Sequence, residues 1–140
     1  MAIDYGDART GIAVSDETRS LVGDAWVIHN RNINDVASSI INEATSRGVS
    51  CIVVGYPKNM DGTTGERAEK SENLSGLLRS TLGEADVEVK LWDERMTTMS
   101  AHRVLTDAGK FGKKRKQTID AVAASLILES YLGYLRTVVQ

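Results

Sequence analysis

The sequence predicts one α/β domain, with a mixed five-stranded sheet and helices on both of its faces. Three observations support this class. Three short β-type segments open the chain, with spacings too short for crossover helices. After them, apolar residues alternate between helical spacing and short strand-like runs. The length of 140 residues suits a single domain, 1–140, whose core is large enough to fold alone.

The opening segments are predicted to be antiparallel strands. They cover residues 2–5, 10–15 and 25–29, and the segment from Gly6 to Arg9 is predicted to be the turn between the first two. Short connections of this kind join neighbouring antiparallel strands, so the first three strands should form a meander.

The later elements are predicted from changes in apolar period. They are a helix from Ile33 that stops at Gly48, a buried strand over 49–54, a loop over 55–65, a helix over 66–82, a strand over 87–92, a helix over 98–108, a loop over 110–116 and a last helix over 118–135. The resulting order, β-β-β-α-β-α-β-α-α, is that of the ribonuclease H-like fold.

Composition and charge indicate a cytoplasmic protein without a membrane segment. The formal net charge is −2, which does not by itself indicate a nucleic-acid binder. No apolar run approaches the ~20 residues that span a bilayer, and the N-terminal residues lack the pattern of a signal peptide. The single Cys51 lies in an apolar run and fits a reducing compartment.

Acidic residues stand at the ends of several predicted elements. Asp4 closes the first strand, Asp93 and Glu94 close the strand over 87–92, and Asp120 lies near the start of the last helix. Separated carboxylates that converge would bind a hard cation such as Mg²⁺ or Mn²⁺. Simpler interpretations remain open for each acid: a turn-forming Asp4, an ion pair between the strand end and Arg95, and an Asp120 that favours a helix N-terminus.

Strand alternation separates the two adjacent acids without choosing between them. If the strand continues, Asp93 shares the face of Leu91, and Glu94 shares the face of Trp92. The pattern does not say which face is catalytic.

Several polar and basic residues are candidates for substrate binding. Arg9 follows the turn after Asp4, and glycines there would let a phosphate approach the backbone. Lys58 and Asn59 lie in the loop over 55–65, which follows a buried strand. The acid-free block over 110–116 would bind a nucleic-acid backbone; its candidates are Lys113, Lys114, Arg115 and Lys116.

Four segments together resemble the YqgF/RuvX family, the Holliday junction resolvases also described as pre-16S rRNA nucleases. They are Asp4-Tyr5-Gly6 with Arg9 and Gly11, then Gly55-Tyr56-Pro57-Lys58-Asn59-Met60-Asp61-Gly62-Thr63, Asp93-Glu94-Arg95-Met96-Thr97-Thr98 and Asp120-Ala121-Val122-Ala123-Ala124. The resemblance implies a ribonuclease H-like fold and a cytoplasmic, divalent-metal-dependent nuclease. It also implies Asp4, Glu94 and Asp120 as the catalytic, metal-binding acids, with Asp93 as the runner-up to Glu94.

The resulting hypothesis is hydrolysis of phosphodiester bonds in structured nucleic acid, with Arg9, Lys58 and Arg95 orienting phosphates. One alternative is a ribosome-assembly factor that binds nucleic acid without cleaving it. A second is an actin-like phosphotransfer domain, although that fold normally occurs in two copies and this chain has room for one. The sequence leaves open RNA or DNA as substrate, and monomer or homodimer as assembly.

Overall fold

The computed structural model of the chain describes residues 1–59, 61–96 and 113–138, with the side chains of 96 and 113–118 left aside. The strands in this part are β1 (Ala2–Asp4), β2 (Arg9–Ser15), β3 (Val22–His29), β4 (Cys51–Tyr56) and β5 (Glu88–Asp93). The helices are α1 (Ile33–Ser46), α2 (Glu66–Leu82) and α3 (Lys113–Val138), and a 3-10 turn at Glu94–Met96 follows β5. None of the helices described is long and apolar enough to cross a bilayer.

The five strands form one mixed sheet in the order β3-β2-β1-β4-β5. β1 pairs antiparallel with β2, and β2 pairs antiparallel with β3, which confirms the predicted meander. β1, β4 and β5 are parallel to one another. Their carboxyl ends therefore meet at one edge of the sheet, the position at which open α/β sheets bind ligands.

The two faces of the sheet carry side chains of different size. On one face, large residues such as Ile3, Ile12 and Ile52 pack against α1 and α2 in a buried core. Each such fully buried side chain contributes roughly 1.5–3 kcal/mol of stability. On the other face, Ala2 and Ala13 leave room for α3 to lie close to the sheet. Helices thus cover both faces, as the sequence predicted.

The first helix begins and ends where the sequence places its signals. The side chain of Asn32 accepts hydrogen bonds from the backbone N–H groups of Asn34 at 2.9 Å and Asp35 at 3.3 Å. This N-cap satisfies donors that the first turn leaves unpaired. After the helix, Gly48 has a φ of 67°, a left-handed conformation that favours glycine.

The last helix starts earlier than the sequence predicted. α3 begins at Lys113, so the predicted loop over 110–116 is wrong for residues 113–116, which are helical. Lysine, arginine and glutamine are good helix formers, and Gly112 is the nearest residue that would stop the helix. Residues 110–112 and the helix predicted over 98–108 lie outside the described residues.

Candidate active site

Asp4 forms the buried centre of an acidic cluster at the carboxyl edge of the sheet. It shares the α3 face with Ala2, because alternate residues of a strand point the same way. Its side chain is only 15% exposed. Burial and the neighbouring Glu94 charge raise the pKa of Asp4 to about 7, and Arg67 opposes this rise.

The Glu94 side chain crosses over β4 to reach Asp4. The two side chains share a hydrogen bond, and burial also raises the pKa of Glu94. The path of Glu94 crosses Gly55, where a Cβ would lie 2.6 Å from Glu94 Oε1 and 2.7 Å from Cδ1 of Ile127. A side chain at position 55 would therefore displace Glu94. Glycine at the exit of β4 is what lets the two acids meet.

Asp120 lies on α3 and reaches the site because the backbone of α3 packs closely against a second glycine. Gly11 is the β2 partner of Asp4, and a Cβ there would overlap the backbone carbonyl oxygen of Asp120. This contact sets α3 directly over the β1–β2 pair. Asp120 lies seven residues after the first residue of the helix, so the positive helix N-terminus does not explain its position.

The Asp120 carboxylate is close to a cation but not fully satisfied. Arg9 Nε lies 3.0 Å from Asp120 Oδ2. Oδ2 is nevertheless buried without a hydrogen-bond partner among the described residues, because the N–H of Arg9 is not aimed at it. Burial raises the pKa of Asp120, and the charges of Arg9, His29 and Arg67 oppose the rise. A buried carboxylate oxygen in this state retains a lone pair for another ligand.

Asp93 belongs to a different arrangement from Glu94. Its Oδ2 lies 2.7 Å from Nη2 of Arg95, and its Oδ1 accepts a hydrogen bond from the Arg95 backbone N–H at 2.9 Å. These hydrogen bonds hold the pKa of Asp93 below its usual range. The ion pair that the sequence left open for this strand end is therefore formed by Asp93, while Glu94 turns to Asp4.

The other predicted substrate contacts lie near the site and have partners within the protein. Arg9 faces Asp120, and Nη1 of Arg95 donates to the carbonyl of Asn59 at 3.5 Å. Asn59 also donates from its side chain to Thr63 Oγ1 at 2.9 Å, which organises the loop. Lys58 Nζ lies 5.6 Å from the centre of the Tyr56 ring. The basic side chains of 113–116 lie outside the described side chains.

One charged residue of the site was not predicted from the sequence. Arg67, in the first turn of α2, places its Nη2 atom 3.7 Å from Asp4 Oδ1. The helical period over 66–82 identified only the apolar face of this helix. The position of Arg67 in the chain could have indicated its role. The first turn of the helix that follows β4 lies at the same edge of the sheet as the end of β1.

The oxygen ligands of this cluster suit a hard divalent cation. Among the described residues, no three acidic, histidine or cysteine side chains are already arranged to hold an ion. The cluster nevertheless combines a proton-sharing Asp4–Glu94 pair with the unpartnered buried Oδ2 of Asp120. Carboxylates that are costly to ionise without a counter-charge become stable when a cation supplies that charge.

Comparison with known proteins identifies the family of the chain. The family model of RuvX, described as Holliday junction resolvase, matches residues 1–134. A relative from Halothermothrix orenii, named "Putative pre-16S rRNA nuclease", is 43% identical over 134 residues, covering 96% of this chain and 94% of the relative. A relative of the same name from a Geobacillus species is 44% identical over 140 residues, covering 94% of this chain and 95% of the relative.

Two solved structures share the fold. One, titled "T. thermophilus RuvC in complex with Holliday junction substrate", has a TM-score of 0.60 at 17% identity and covers 96% of this chain and 94% of that chain. The other, a Fowlpox virus resolvase complexed with Holliday junction DNA, has a TM-score of 0.54 at 10% identity and covers 99% of this chain and 97% of that chain. The predicted ribonuclease H-like class is confirmed. The chain belongs to the RuvX family of nucleases that its sequence motifs resemble.

Proposed function

We propose that this protein is a cytoplasmic, divalent-metal-dependent nuclease that hydrolyses phosphodiester bonds in structured nucleic acid. The observation that carries the proposal is the Asp4–Glu94 pair, two buried acids that share a hydrogen bond at the carboxyl edge of the sheet. A buried pair of acids lowers the stability of a folded protein, because each carboxylate opposes the ionisation of the other at close range. Its position matches the place where this class of sheet performs chemistry.

Asp4, Glu94 and Asp120 would hold Mg²⁺ or Mn²⁺. A bound cation would supply a polarised water as nucleophile and charge neutralisation for the phosphate. The protein prepares the ligands in two ways. The glycines at positions 11 and 55 let α3 and the turn after β5 approach the end of β1. Burial raises the pKa of all three acids, which makes their ionised forms dependent on a counter-charge.

Other side chains of the edge would bind the substrate backbone. Arg9, Lys58, Asn59 and Arg95 lie on the loops and strand ends around the acids, and the block Lys113, Lys114, Arg115 and Lys116 forms the start of α3. Lysine and arginine neutralise phosphates and release counterions, so binding should weaken with salt, with a slope that falls by about 0.7–0.9 for each contact removed.

The names of the relatives favour precursors of 16S rRNA as the substrate, and the description of the family favours four-way DNA junctions. Symmetric cleavage of a junction requires two active sites, so a homodimer would favour DNA and a monomer would favour RNA trimming. Sedimentation of the purified protein, alone and with each nucleic acid, distinguishes these assemblies.

The direct test is cleavage of both substrates with Mg²⁺ and with Mn²⁺, comparing wild type with Asp4→Asn. Cleavage should require the cation and should fall by several orders of magnitude in the variant. The exposed acid Asp86 provides a control of identical chemistry, and Asp86→Asn should cleave at the wild-type rate. Undiminished cleavage by Asp4→Asn would overturn the proposal. Salt-sensitive binding without cleavage by the wild type would favour the alternative, a non-catalytic ribosome-assembly factor.

A further inference from the structure

Among the described residues, Arg67 meets the acidic cluster through an ion pair and makes no hydrogen bond to it. It is the second residue of α2 (Glu66–Leu82), and its side chain is 65% exposed. Its Nη2 atom lies 3.7 Å from Asp4 Oδ1, which is longer than a hydrogen bond. The guanidinium therefore interacts with Asp4 electrostatically and is not fixed by a hydrogen bond to it.

Arg67 places a positive charge beside Asp4, the buried centre of the acidic cluster. In agreement with this position, its charge opposes the rise in the pKa of Asp4, Glu94 and Asp120. Arg9 differs from Arg67, because its ion pair within the cluster is with Asp120. Arg67 thus supplies positive charge at the centre of the acidic cluster, where a divalent cation would also bind.

The backbone that carries Arg67 is anchored independently of its side chain. The neighbouring Ala68 is fully buried, and Lys70 Nζ lies 2.6 Å from Asp7 Oδ1 in the loop after β1. Lys70 also lies 3.4 Å from Glu66 Oε1 in the same turn. The start of α2 is therefore fixed beside the acids, while the long side chain of Arg67 can move without disturbing the fold.

We propose that Arg67 is an internal counter-ion of the acidic cluster that competes with the divalent cation for Asp4, Glu94 and Asp120. This inference rests on the proposed function, since it assigns a competitor to the same metal site. A guanidinium and a divalent cation repel each other at this range, and both are attracted by the same carboxylates. In the absence of metal, the guanidinium lies beside Asp4 and offsets part of the negative charge of the cluster. When metal binds, the guanidinium moves outward into solvent, which its exposure already permits.

The proposal predicts that removing the charge tightens metal binding. Mn²⁺ is titrated into the metal-free full chain, and free Mn²⁺ is counted by electron paramagnetic resonance at pH 8 and low salt. Arg67→Gln should bind Mn²⁺ more tightly, by about 3-fold to 10-fold, because it removes one competing unit charge near the site. The gain should shrink as salt rises, since the contact is exposed to solvent. Arg67→Lys, which keeps the charge, should stay near the wild-type affinity.

Arg47→Gln provides a control with the same change in net charge. Arg47 pairs with Asp24 and Glu43 at the end of α1, which precedes β4 and so lies at the opposite edge of the sheet. Its Mn²⁺ affinity should equal that of the wild type. Circular dichroism of each variant should match that of the wild type, which checks that the variants are folded.

The failures of the two proposals are distinguishable. Equal or weaker Mn²⁺ binding by Arg67→Gln, with normal binding by the wild type, would overturn the counter-ion role and leave the metal site intact. Equal tightening in Arg47→Gln would also overturn it, because the effect would then reflect net charge. No Mn²⁺ binding by the wild type would overturn the proposed metal site and the counter-ion role with it.

Discussion

Replacing the buried acid at the centre of the site should stabilise the metal-free protein. The pKa of Asp4 is raised from its usual 3.8 to about 7. A difference of one unit corresponds to about 1.4 kcal/mol, so ionising Asp4 in the folded state costs up to about 4 kcal/mol relative to the unfolded chain. Asp4→Asn removes that cost. Its amide can still hydrogen-bond to Glu94, so most of the gain should be retained.

The raised pKa of Asp4 also determines how the stability difference between Asp4→Asn and the wild type changes with pH. Below pH 3.8 the carboxyl is protonated in both the folded and the unfolded chain, and it costs nothing. Between pH 3.8 and 7 only the unfolded chain ionises, so wild-type stability falls as pH rises, and the full loss is present above pH 7. The advantage of Asp4→Asn should therefore be roughly 2–3 kcal/mol larger at pH 8 than at pH 5.

Urea denaturation in the presence of a chelator measures this difference at each pH. Asp86→Asn, at an exposed position, is the matched control and should leave the stability at the wild-type value. Equal stability of Asp4→Asn and wild type at pH 8, or an advantage that grows toward acid, would refute the account of Asp4 as a buried and electrostatically opposed acid.

Two further predictions follow from the glycines and from the adjacent acids. Gly11→Ala should destabilise the fold by about 3 kcal/mol in urea denaturation, because its Cβ would overlap the backbone of α3. Gly76→Ala has open space within α2 and should instead stabilise by about 0.5–1 kcal/mol; similar effects of both changes would contradict the packing. Glu94→Gln should weaken Mn²⁺ binding in calorimetry on the order of tenfold or more, whereas Asp93→Asn should change it little. The reverse order would assign the ligand to Asp93.

Much of this fold is readable from local patterns. Short apolar runs, and alternation over residues 87–92, predicted the strands. Helical spacing with a glycine stop predicted α1 and its end near Gly48. The start of α3 was missed because the basic residues 113–116 were interpreted as a charged loop, although their helix propensity favours an extension back to Gly112. The charge of residues 113–116 indicated that they are exposed to solvent, but it gave no information on their backbone conformation.

The site was readable in part, and the limits have physical causes. Strand parity separated Asp93 from Glu94, but only the packing of α3 shows which face carries Asp4. The glycines after Asp4 were interpreted as space for a substrate phosphate, whereas one of them, Gly11, gives space to the α3 backbone. Arg67 was missed because its role depends on a contact between residues 63 positions apart in the chain. Such contacts follow from tertiary packing and leave no periodic signal.

The central claim is that Asp4, Glu94 and Asp120 form one binding site for a divalent cation. Anomalous scattering from a crystal of the protein grown with Mn²⁺ tests it most directly, because the manganese signal locates the ion without assumptions about ligands. An anomalous peak bordered by these three carboxylates is expected, with the Arg67 guanidinium displaced from Asp4. Absence of a peak there at saturating Mn²⁺, or a peak held by Asp93 in place of Glu94, would contradict it.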